Sequence, residues 1–596
     1  MPTRRGFLTA ATAVAAGSAL SSLGAAPAAS AATHRRGRRP NIVLINADDL
    51  GYGEFGSYGQ ELISTPRLDR LAAEGIRFTD AYANAPLCAP SRASLLTGLH
   101  GGHATVRENP TDGPYVYFQD SDTSFAEPLR ARGYRTAVIG KWGYGDESGD
   151  TTAASHPNRR GFEEFYGYIS HIHAHEYYPG YLWHNGEKQT LDANLDGKRG
   201  AYAVDLFERR ALDFIDAHAD EPFLLFLTPS LPHAPGDVPE YGEYEHTAWT
   251  KAQKAHAWQI TRFDSFVGAV VDELARLGID RDTLVLITSD NGPHSETGKN
   301  GGAIGALDPR IFDPAGPLRG YKRNLYEGGI RIPLIAYWPG HAAAATVTRP
   351  TPQVDLFPTL ADLAGAPVPD DLDGLSLAPL LTGAGRQADH ASLYWYRNEF
   401  DYTALSWEAE NGRSLRTAEA VRAGDFKLVR YAPGRDIGVP DAQWTTELFH
   451  LAADVGETTN VAAAHPGIVD RLTADARAAY ASSYERTVFG VHPTAPRSAG
   501  AGETFTVSAV LGNGTHEDWT AVRLRLVVPE GWRVKSVAGG RAGRLAAGAS
   551  ATAEWRVTAP ATAVAGAAAR LRVHGAATDR RGPLGFTVDR AVEVTG

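Results

Sequence analysis

An α/β fold built on a mostly parallel central sheet, followed by a small antiparallel α+β subdomain and an appended β-sandwich, is predicted by three features of the sequence. Over residues 40–390, short, continuously apolar runs alternate with stretches of helical spacing, the pattern of strands buried on both faces by crossover helices. Over residues 391–486 the runs become short and strand-like around a single helix. Over residues 503–596 strand-like runs follow one another at regular spacing without helices, as in a two-sheet sandwich. At 596 residues the chain is longer than one hydrophobic core organises.

At the N-terminus, Thr3-Arg4-Arg5-Gly6-Phe7-Leu8 precedes an apolar Ala-rich stretch and small residues around Ala29-Ser30-Ala31. This twin-arginine pattern predicts an export signal over residues 1–31. The stretch is too short and interrupted for a membrane span, and no later segment reaches about 18 continuous apolar residues. Residues 41–46, which lead into Asp48-Asp49, read as a buried parallel strand, and residues 136–140, 223–228, 283–289 and 333–338 as further buried strands. Residues 66–75 have helical spacing, with Thr65 as N-cap and Gly75 as stop; residues 250–277 and 355–364 are also helical. Residues 393–397, 418–422 and 426–431 read as antiparallel strands covered by a helix at 467–480. Residues 487–502, rich in Pro, Ala and Gly, read as a linker. Sandwich strands are expected at 504–513, 521–528, 552–558 and 568–574.

A formal net charge of −11 argues against general affinity for nucleic acid or an acidic membrane surface. It leaves room for one local basic pocket. The chain has a single cysteine, Cys88, so it forms no internal disulfide although export would permit one. A lone thiol in an oxidising compartment is a liability unless it is buried or chemically altered. The twin-arginine route carries folded proteins, so a modification of Cys88 and metal loading would both precede export.

On composition alone, Cys88-Ala89-Pro90-Ser91-Arg92 reads as a free core cysteine beside a helix start. Pro90 suits a first helical turn, and residues 91–96 are helical in character. Cys88 then stands at a helix N-terminus, where backbone N–H groups favour an anion. Arg92 adds a forked cation one turn in. Asp48 and Asp49 follow one strand, and Asp290 and Asn291 follow another. Ligands gather beyond such strand ends in open α/β sheets. Any one of these acids reads equally as a cap or turn residue. Two pairs of hard oxygen donors suit Ca²⁺, or Mg²⁺, rather than zinc, which takes His or Cys. Lys141 in Gly140-Lys141-Trp142-Gly143, His233 in Ser230-Leu231-Pro232-His233 and Lys322 in Leu318-Arg319-Gly320-Tyr321-Lys322 complete the candidates. Singly, such a Lys is ordinarily solvated and such a His structural; their placement near the other groups ties them to one region.

Residues 41–53, 88–98, 140–145, 289–294 and 316–333, in this order, resemble the type I, formylglycine-dependent sulfatases, arylsulfatase-like members of the alkaline phosphatase superfamily. The resemblance covers roughly residues 40–485 by the domain pattern. Glu447-Leu448-Phe449-His450-Leu451 through Glu457-Thr458-Thr459-Asn460 looks like the family's tail motif, with Val455 where Pro is common. The resemblance implies an alkaline-phosphatase-like fold and hydrolysis of sulfate esters. It makes Asp48, Asp49, Asp290 and Asn291 calcium ligands, with Cys88, converted to formylglycine (3-oxoalanine), contacting the same ion. Arg92 would stabilise the nucleophile, Lys141 and Lys322 hold the sulfate, and His233 orient it or help protonate the leaving oxygen. Many members carry His two residues after the motif lysine; this chain has Gly143. Base assistance must then come from elsewhere. His294, His103 and Arg107 are candidates for site or substrate contacts and equally for loop packing; His103 and Arg107 are left outside the catalytic set.

The family's chemistry explains the modified residue. A serine attacking sulfur would leave a sulfate ester with no internal exit. A hydrated aldehyde has two hydroxyls on one carbon, one to attack sulfur and one to expel sulfate. Calcium lowers the nucleophile's pKa and, with the lysines and Arg92, offsets charge on the sulfuryl oxygens. The implied partners are a sulfated small molecule or carbohydrate, a formylglycine-generating maturation enzyme and the twin-arginine translocase. No nucleic acid and no membrane span are expected, and the implied location is secreted or cell-envelope. Two other functions stay open: a phosphonate or phosphodiester hydrolase using the same modified cysteine, and a non-catalytic binder of sulfated glycans. The C-terminal sandwich resembles immunoglobulin-like modules of secreted carbohydrate-active enzymes in strand spacing and in Pro529-Glu530-Gly531-Trp532; a plain spacer role is the alternative. Specificity is expected in the loops at 151–197 and 395–414.

Overall fold

Alternating apolar residues of one strand divide between two cores, and this division organises the α/β region. The computed structural model describes residues 39–109, 118–145, 147–296, 306–369, 372–398, 401–480, 490–496, 498–513, 518–547, 549–564, 568–579 and 582–595. The export signal read at residues 1–31 lies outside them. Strand β1 (Asn41–Ala47) sends Ile42 and Leu44 to one core and Val43 and Ile45 to the other, as a period of two requires. Helix Cys88–Thr97 and helix Leu356–Ala364 pack on the first face, and helices Pro66–Glu74, Ala203–Ala217 and Lys251–Arg276 on the second. The last of these starts at Thr250 through a capping box with Gln253.

The central sheet also contains β2 (Ile76–Tyr82), β3 (Arg135–Lys141), β4 (Glu164–Tyr168), β5 (Tyr181–His184), β6 (Glu187–Thr190), β7 (Phe223–Thr228), β8 (Thr283–Ser289), β9 (Arg331–Tyr337) and β10 (Ala345–Val347). The short β11 (Thr351–Pro352) pairs with β2. The order is β10-β2-β9-β8-β1-β7-β3-β4-β5-β6. Strands β8, β1, β7, β3 and β4 are mutually parallel, and β9 runs against both of its neighbours. The mixed, mostly parallel sheet matches the expectation. The sequence reading passed over β2, whose alternation of Arg77, Thr79 and Asp80 with apolar residues is too polar to read as a buried run.

Beyond it, β12 (Leu393–Arg397), β13 (Ala418–Ala423), β14 (Phe426–Tyr431) and β15 (Thr445–His450) form an antiparallel sheet in sequential order. Helix Pro466–Ala479 packs Leu472 and Ala476 on Tyr394, Tyr396, Val421 and Leu428. β15 is the fourth strand of this sheet and holds the first half of the tail motif. The second half supplies Glu457, which with Glu327 encloses the fully buried Lys427. Lys427 Nζ lies 2.9 Å from Glu327 Oε1 and 3.0 Å from Glu457 Oε1. Burial and the charge of Glu327 push Glu457 up to about 7, while Lys427 and Arg331 hold Glu327 down at about 2 despite its burial.

The C-terminal segment is a two-sheet sandwich. One sheet has the order β16 (Gly490–Thr494), β18 (Thr504–Gly512), β22 (Ser550–Thr558), β20 (Arg533–Gly539). The other has β17 (Ser498–Gly500), β24 (Gly582–Thr595), β23 (Ala568–Asp579), β19 (Trp519–Val527), β21 (Arg541–Leu545). Val507, Leu511, Trp519, Trp555 and Leu571 are among the residues filling the space between them. Residues 487–502 were expected to be a linker; instead β16 pairs with β18 and β17 with β24. Both are outer strands, where Pro and Gly are tolerated because half of the backbone groups need no ladder partner.

Lys427→Met should destabilise the protein by about 3–5 kcal/mol, because it leaves two buried carboxylates facing each other. A urea unfolding curve checks this, and a midpoint equal to the wild type's would show the triad to be dispensable.

Candidate active site

The site is assembled at the carboxyl ends of four neighbouring strands, β8, β1, β7 and β3. Successive residues of an extended strand face opposite ways, yet both acids after β1 turn inward. The reason is Asp49, whose φ of 68° takes it out of the strand conformation. Three hydrogen bonds hold this backbone: Asp48 N to Leu231 O at 2.8 Å, Asp49 N to Asp290 Oδ1 at 2.9 Å, and Leu50 N to Ser289 Oγ at 3.0 Å. Ligand atoms of Asp48, Asp49, Cys88 and His233 consequently lie within 4.8 Å of one another. Asp290 and Asn291 adjoin them through Asp49, with Asn291 Nδ2 donating to Asp49 Oδ1 at 2.8 Å.

Cys88 is the first residue of its helix and is fully buried, with Sγ 3.5 Å from Asp49 Oδ1. Burial and the Asp49 carboxylate push its thiol well above the usual range, so the unmodified residue is protonated. One turn on, Arg92 Nε bonds Asp290 Oδ2 at 2.8 Å, Nη1 donates to Lys141 O at 2.9 Å, and Nη2 lies 3.6 Å from Asp48 Oδ2. Lys141 Nζ is 2.8 Å from Asp48 Oδ2, and Lys322 Nζ is 2.8 Å from Asp49 Oδ2. Lys322 also reaches Glu296 Oε1 at 3.1 Å. Burial opposes ionisation of Asp48, but Lys141 and Arg92 hold it well below the usual carboxylate range. Asp290 fares differently: burial and Asp48 push it up to about 7 even beside Arg92.

His233 Nδ1 faces the Ala234 carbonyl, which can only accept, so Nδ1 carries the proton. In the neutral ring Nε2 is then an acceptor, 3.4 Å from Lys322 Nζ. Burial and the two lysines lower its pKa to about 3 against the pull of Asp49 and Asp48. Lys141 owes its position to Gly140. At φ 113°, a β-carbon there would lie 2.0 Å from Thr228 O on β7.

These positions match a family model described as "Sulfatase" over residues 40–366 and one described as "N-sulphoglucosamine sulphohydrolase, C-terminal" over residues 320–474. The chain belongs to the sulfatase family. It is 34% identical to human arylsulfatase A over 477 residues, which span 73% of this chain and 86% of that one. It is 32% identical to rat steryl-sulfatase, over 64% of this chain and 77% of that protein. The solved structure of Ps i-CgsB in complex with k-i-k-neocarrahexaose superposes with a TM-score of 0.59 at 28% identity, covering 74% of this chain and 92% of that one. The fold is alkaline-phosphatase-like, and this sulfatase is a sulfuric ester hydrolase. A third family model, "NPCBM-associated, NEW3 domain of alpha-galactosidase", matches residues 499–575 in the sandwich.

All the candidate residues of this sulfatase come together: Asp48, Asp49, Cys88, Arg92, Lys141, His233, Asp290, Asn291 and Lys322 are each at most 3% exposed and joined by the contacts above. The residues left aside stand elsewhere. His103 pairs with Asp373 at 2.8 Å and stacks on His100, while Arg107 binds the carbonyls of Ala104 and Gly102. His294 Nε2 lies 3.0 Å from Pro232 O, behind His233.

Sequence reasoning missed a row of imidazoles. His175 and His233 have ring centroids 4.7 Å apart, and His171 and His175 5.6 Å. His171 Nδ1 lies 4.0 Å from the point where a β-carbon on Gly143 would stand. Gly143 itself has φ 91°, which disfavours any side chain there. Burial, together with Lys141 and His175, lowers the His171 pKa well below the ordinary value, which keeps the ring neutral. The available signal was His171-Ile172-His173-Ala174-His175, three histidines in five residues.

Gly140→Ala should lower stability by more than about 2 kcal/mol, since strain at positive φ adds to the clash with Thr228. Gly133→Ala, at φ 88° with no atom within 4 Å of the added carbon, is the control and should cost only about 1 kcal/mol. Thermal unfolding of both variants separates strain from clash.

Proposed function

We propose that this sulfatase hydrolyses sulfate esters of carbohydrates through a formylglycine made from Cys88, beside a calcium ion held by Asp48, Asp49, Asp290 and Asn291. The observation that carries the reading is the place of Cys88. It is buried as the first residue of a helix, with its sulfur within 4.8 Å of ligand atoms of Asp48, Asp49 and His233. A residue there, once converted, would meet both the oxygen donors and the lysines that hold them.

The donors fit calcium. Asp48 Oδ1 and Asn291 Oδ1 are buried without a hydrogen-bond partner, and Asp290 is driven towards protonation by burial and by its acidic neighbours Asp48 and Asp49. A hard divalent cation satisfies such oxygens and relieves their repulsion. When bound, calcium supplies positive charge that polarises the sulfuryl oxygens and lowers the pKa of the nucleophile. A formylglycine hydrate supplies two hydroxyls on one carbon, one for attack on sulfur and one for release of sulfate.

The remaining work falls to side chains already in place. Lys141 and Lys322 each hold one acid of the Asp48-Asp49 pair, and their ammonium groups would bind the sulfate oxygens. Arg92 fixes Asp290 and, through the Lys141 carbonyl, the end of β3. His233, with Nε2 as acceptor, orients Lys322. Protonation of the leaving oxygen then draws on Lys322 as donor. His171 replaces the histidine that family members carry at the position of Gly143. It brings a neutral ring from a different segment, and its Nδ1 takes the proton when sulfate is released.

The carbohydrate reading is supported by the oligosaccharide bound in the Ps i-CgsB structure and by the description of the second family model. The Thr3-Arg4-Arg5 pattern supports export by the twin-arginine translocase after a maturation enzyme has acted on Cys88, giving a secreted or cell-envelope location.

In the native producer, mass spectrometry of the peptide spanning Cys88 should show an aldehyde or its hydrate, and chelation should abolish aryl sulfate turnover until calcium is restored. Cys88→Ala should retain the fold and lose turnover. An unmodified thiol in a fully active preparation would sink the mechanism, and turnover of an aryl phosphonate exceeding that of the matched sulfate by orders of magnitude would sink the sulfate reading. His171→Ala should lower kcat about 10²-fold with a smaller change in KM and remove an inflection from the acid limb of the pH–kcat profile, where protonation of this low-pKa ring cuts turnover as pH falls. An unaltered profile would return His171 to loop packing.

A further inference from the structure

The outward face of the five-stranded sandwich sheet carries a cluster of arginines. Along β19, alternation sends Leu524 and Leu526 into the sandwich core and leaves Arg523 and Arg525 exposed. On β21, Arg541 stands directly opposite Arg523, while Ala542 pairs with the core residue Val522. Successive outward residues on a strand are about 7 Å apart and directly opposed ones about 5 Å. Three guanidinium groups thus rise from one small triangle.

Among the described residues none of the three has an acid partner; the ion pair of this sheet joins Arg544 to Asp518. His574, opposite Arg525, continues the face, whereas Arg572 has Asp589 opposite it in the ladder. Like charges directly opposed across a ladder destabilise it, so stability alone does not account for Arg541 facing Arg523. Protection of a sheet edge accounts for charge on β21, the outer strand, but not on β19, which lies between β21 and β23. The charge is also local. Residues 503–596 hold 12 Lys and Arg against 8 Asp and Glu, whereas the whole chain holds 58 against 69. A polyanion is repelled by the molecule as a whole and attracted here.

We propose that Arg523, Arg525 and Arg541 form a docking face for a sulfated polysaccharide, the polymer whose sulfate esters the active site removes. The inference rests on the carbohydrate-sulfate reading above and adds a second site to it. Arginine forks suit tetrahedral oxyanions, and an exposed sheet face admits an extended chain with many of them. Weak contacts at such a face raise the concentration of ester groups near the catalytic centre without any contact to the bond being cleaved.

Binding is measured on the full chain carrying Cys88→Ala, by affinity electrophoresis through gels containing heparin or chemically desulfated heparin. Heparin should retard the protein, desulfated heparin should not, and the retardation should fall steeply with salt. Replacing the three arginines together by glutamine should weaken heparin binding at least tenfold. Arg541→Glu, which puts an acid opposite Arg523, should weaken binding while leaving the unfolding temperature equal or higher, so that lost binding is not lost folding. With Cys88 intact, the ratio of turnover on sulfated polymer to turnover on a small aryl sulfate should fall in the triple variant. Equal retardation of triple variant and parent overturns the docking face. Tighter binding of duplex DNA or of phosphatidylglycerol vesicles than of heparin overturns its assignment to sulfated polysaccharide. Sulfate-dependent binding without cleavage of any sulfated saccharide supports the face and overturns the catalytic reading on its own.

Discussion

Three carboxylates, Asp48, Asp49 and Asp290, are fully buried in one pocket of this sulfatase, and the surrounding structure answers to their charge. Carboxylates removed from water stay ionised only if cations replace the lost hydration. Arg92, Lys141 and Lys322 arrive from three different segments to do so, each through contacts of 2.8 Å. Their reach is unequal. Asp48 is held ionised, while Asp290, between Asp48 and Arg92, is pushed up to about 7. Orphaned oxygens on Asp48 and Asn291 give the pocket hard donors that suit a further cation. Burial, together with the Asp49 carboxylate, holds the Cys88 thiol well above its usual range.

The scaffold serves that pocket with backbone geometry that few sequences permit. Asp49 in the left-handed region aims two consecutive acids the same way, and Gly140 lets β3 approach Thr228 closely enough to set Lys141 against Asp48. Gly143, also at positive φ, yields its side-chain space to His171 from another loop.

Two further assemblies depend on charge in different ways. The Glu327-Lys427-Glu457 triad is dry and joins the antiparallel subdomain to the catalytic sheet region through the tail motif. The arginines of the sandwich are exposed and, among the described residues, without an acid partner, and two of them, Arg523 and Arg525, stand on an inner strand where edge protection does not account for them.

Much of this was readable in the chain. Strands at 223–228 and 283–289 declare themselves because a strand buried on both faces must be continuously apolar, and the acids after such runs mark ligand positions because strand ends are where polar groups can converge. Local rules also placed Cys88 at a helix start and Thr65 just ahead of the helix Pro66–Glu74. What stayed hidden were features set by neighbours distant in sequence. β2 is polar at alternate positions and exists by pairing with β9; β16 and β17 hide in a Pro- and Gly-rich stretch that outer strands tolerate. The sequence alone singled out residues that converge in one buried pocket, because motif types and order reflect the chemical demands of oxyanion and metal binding. Only the tertiary structure decided who pairs with whom: that Lys141 takes Asp48 and Lys322 takes Asp49, that His171 stands where Gly143 leaves space, and that Arg523 faces Arg541. Those choices follow from strand order and register, which are settled by packing across the whole sheet and by no local segment.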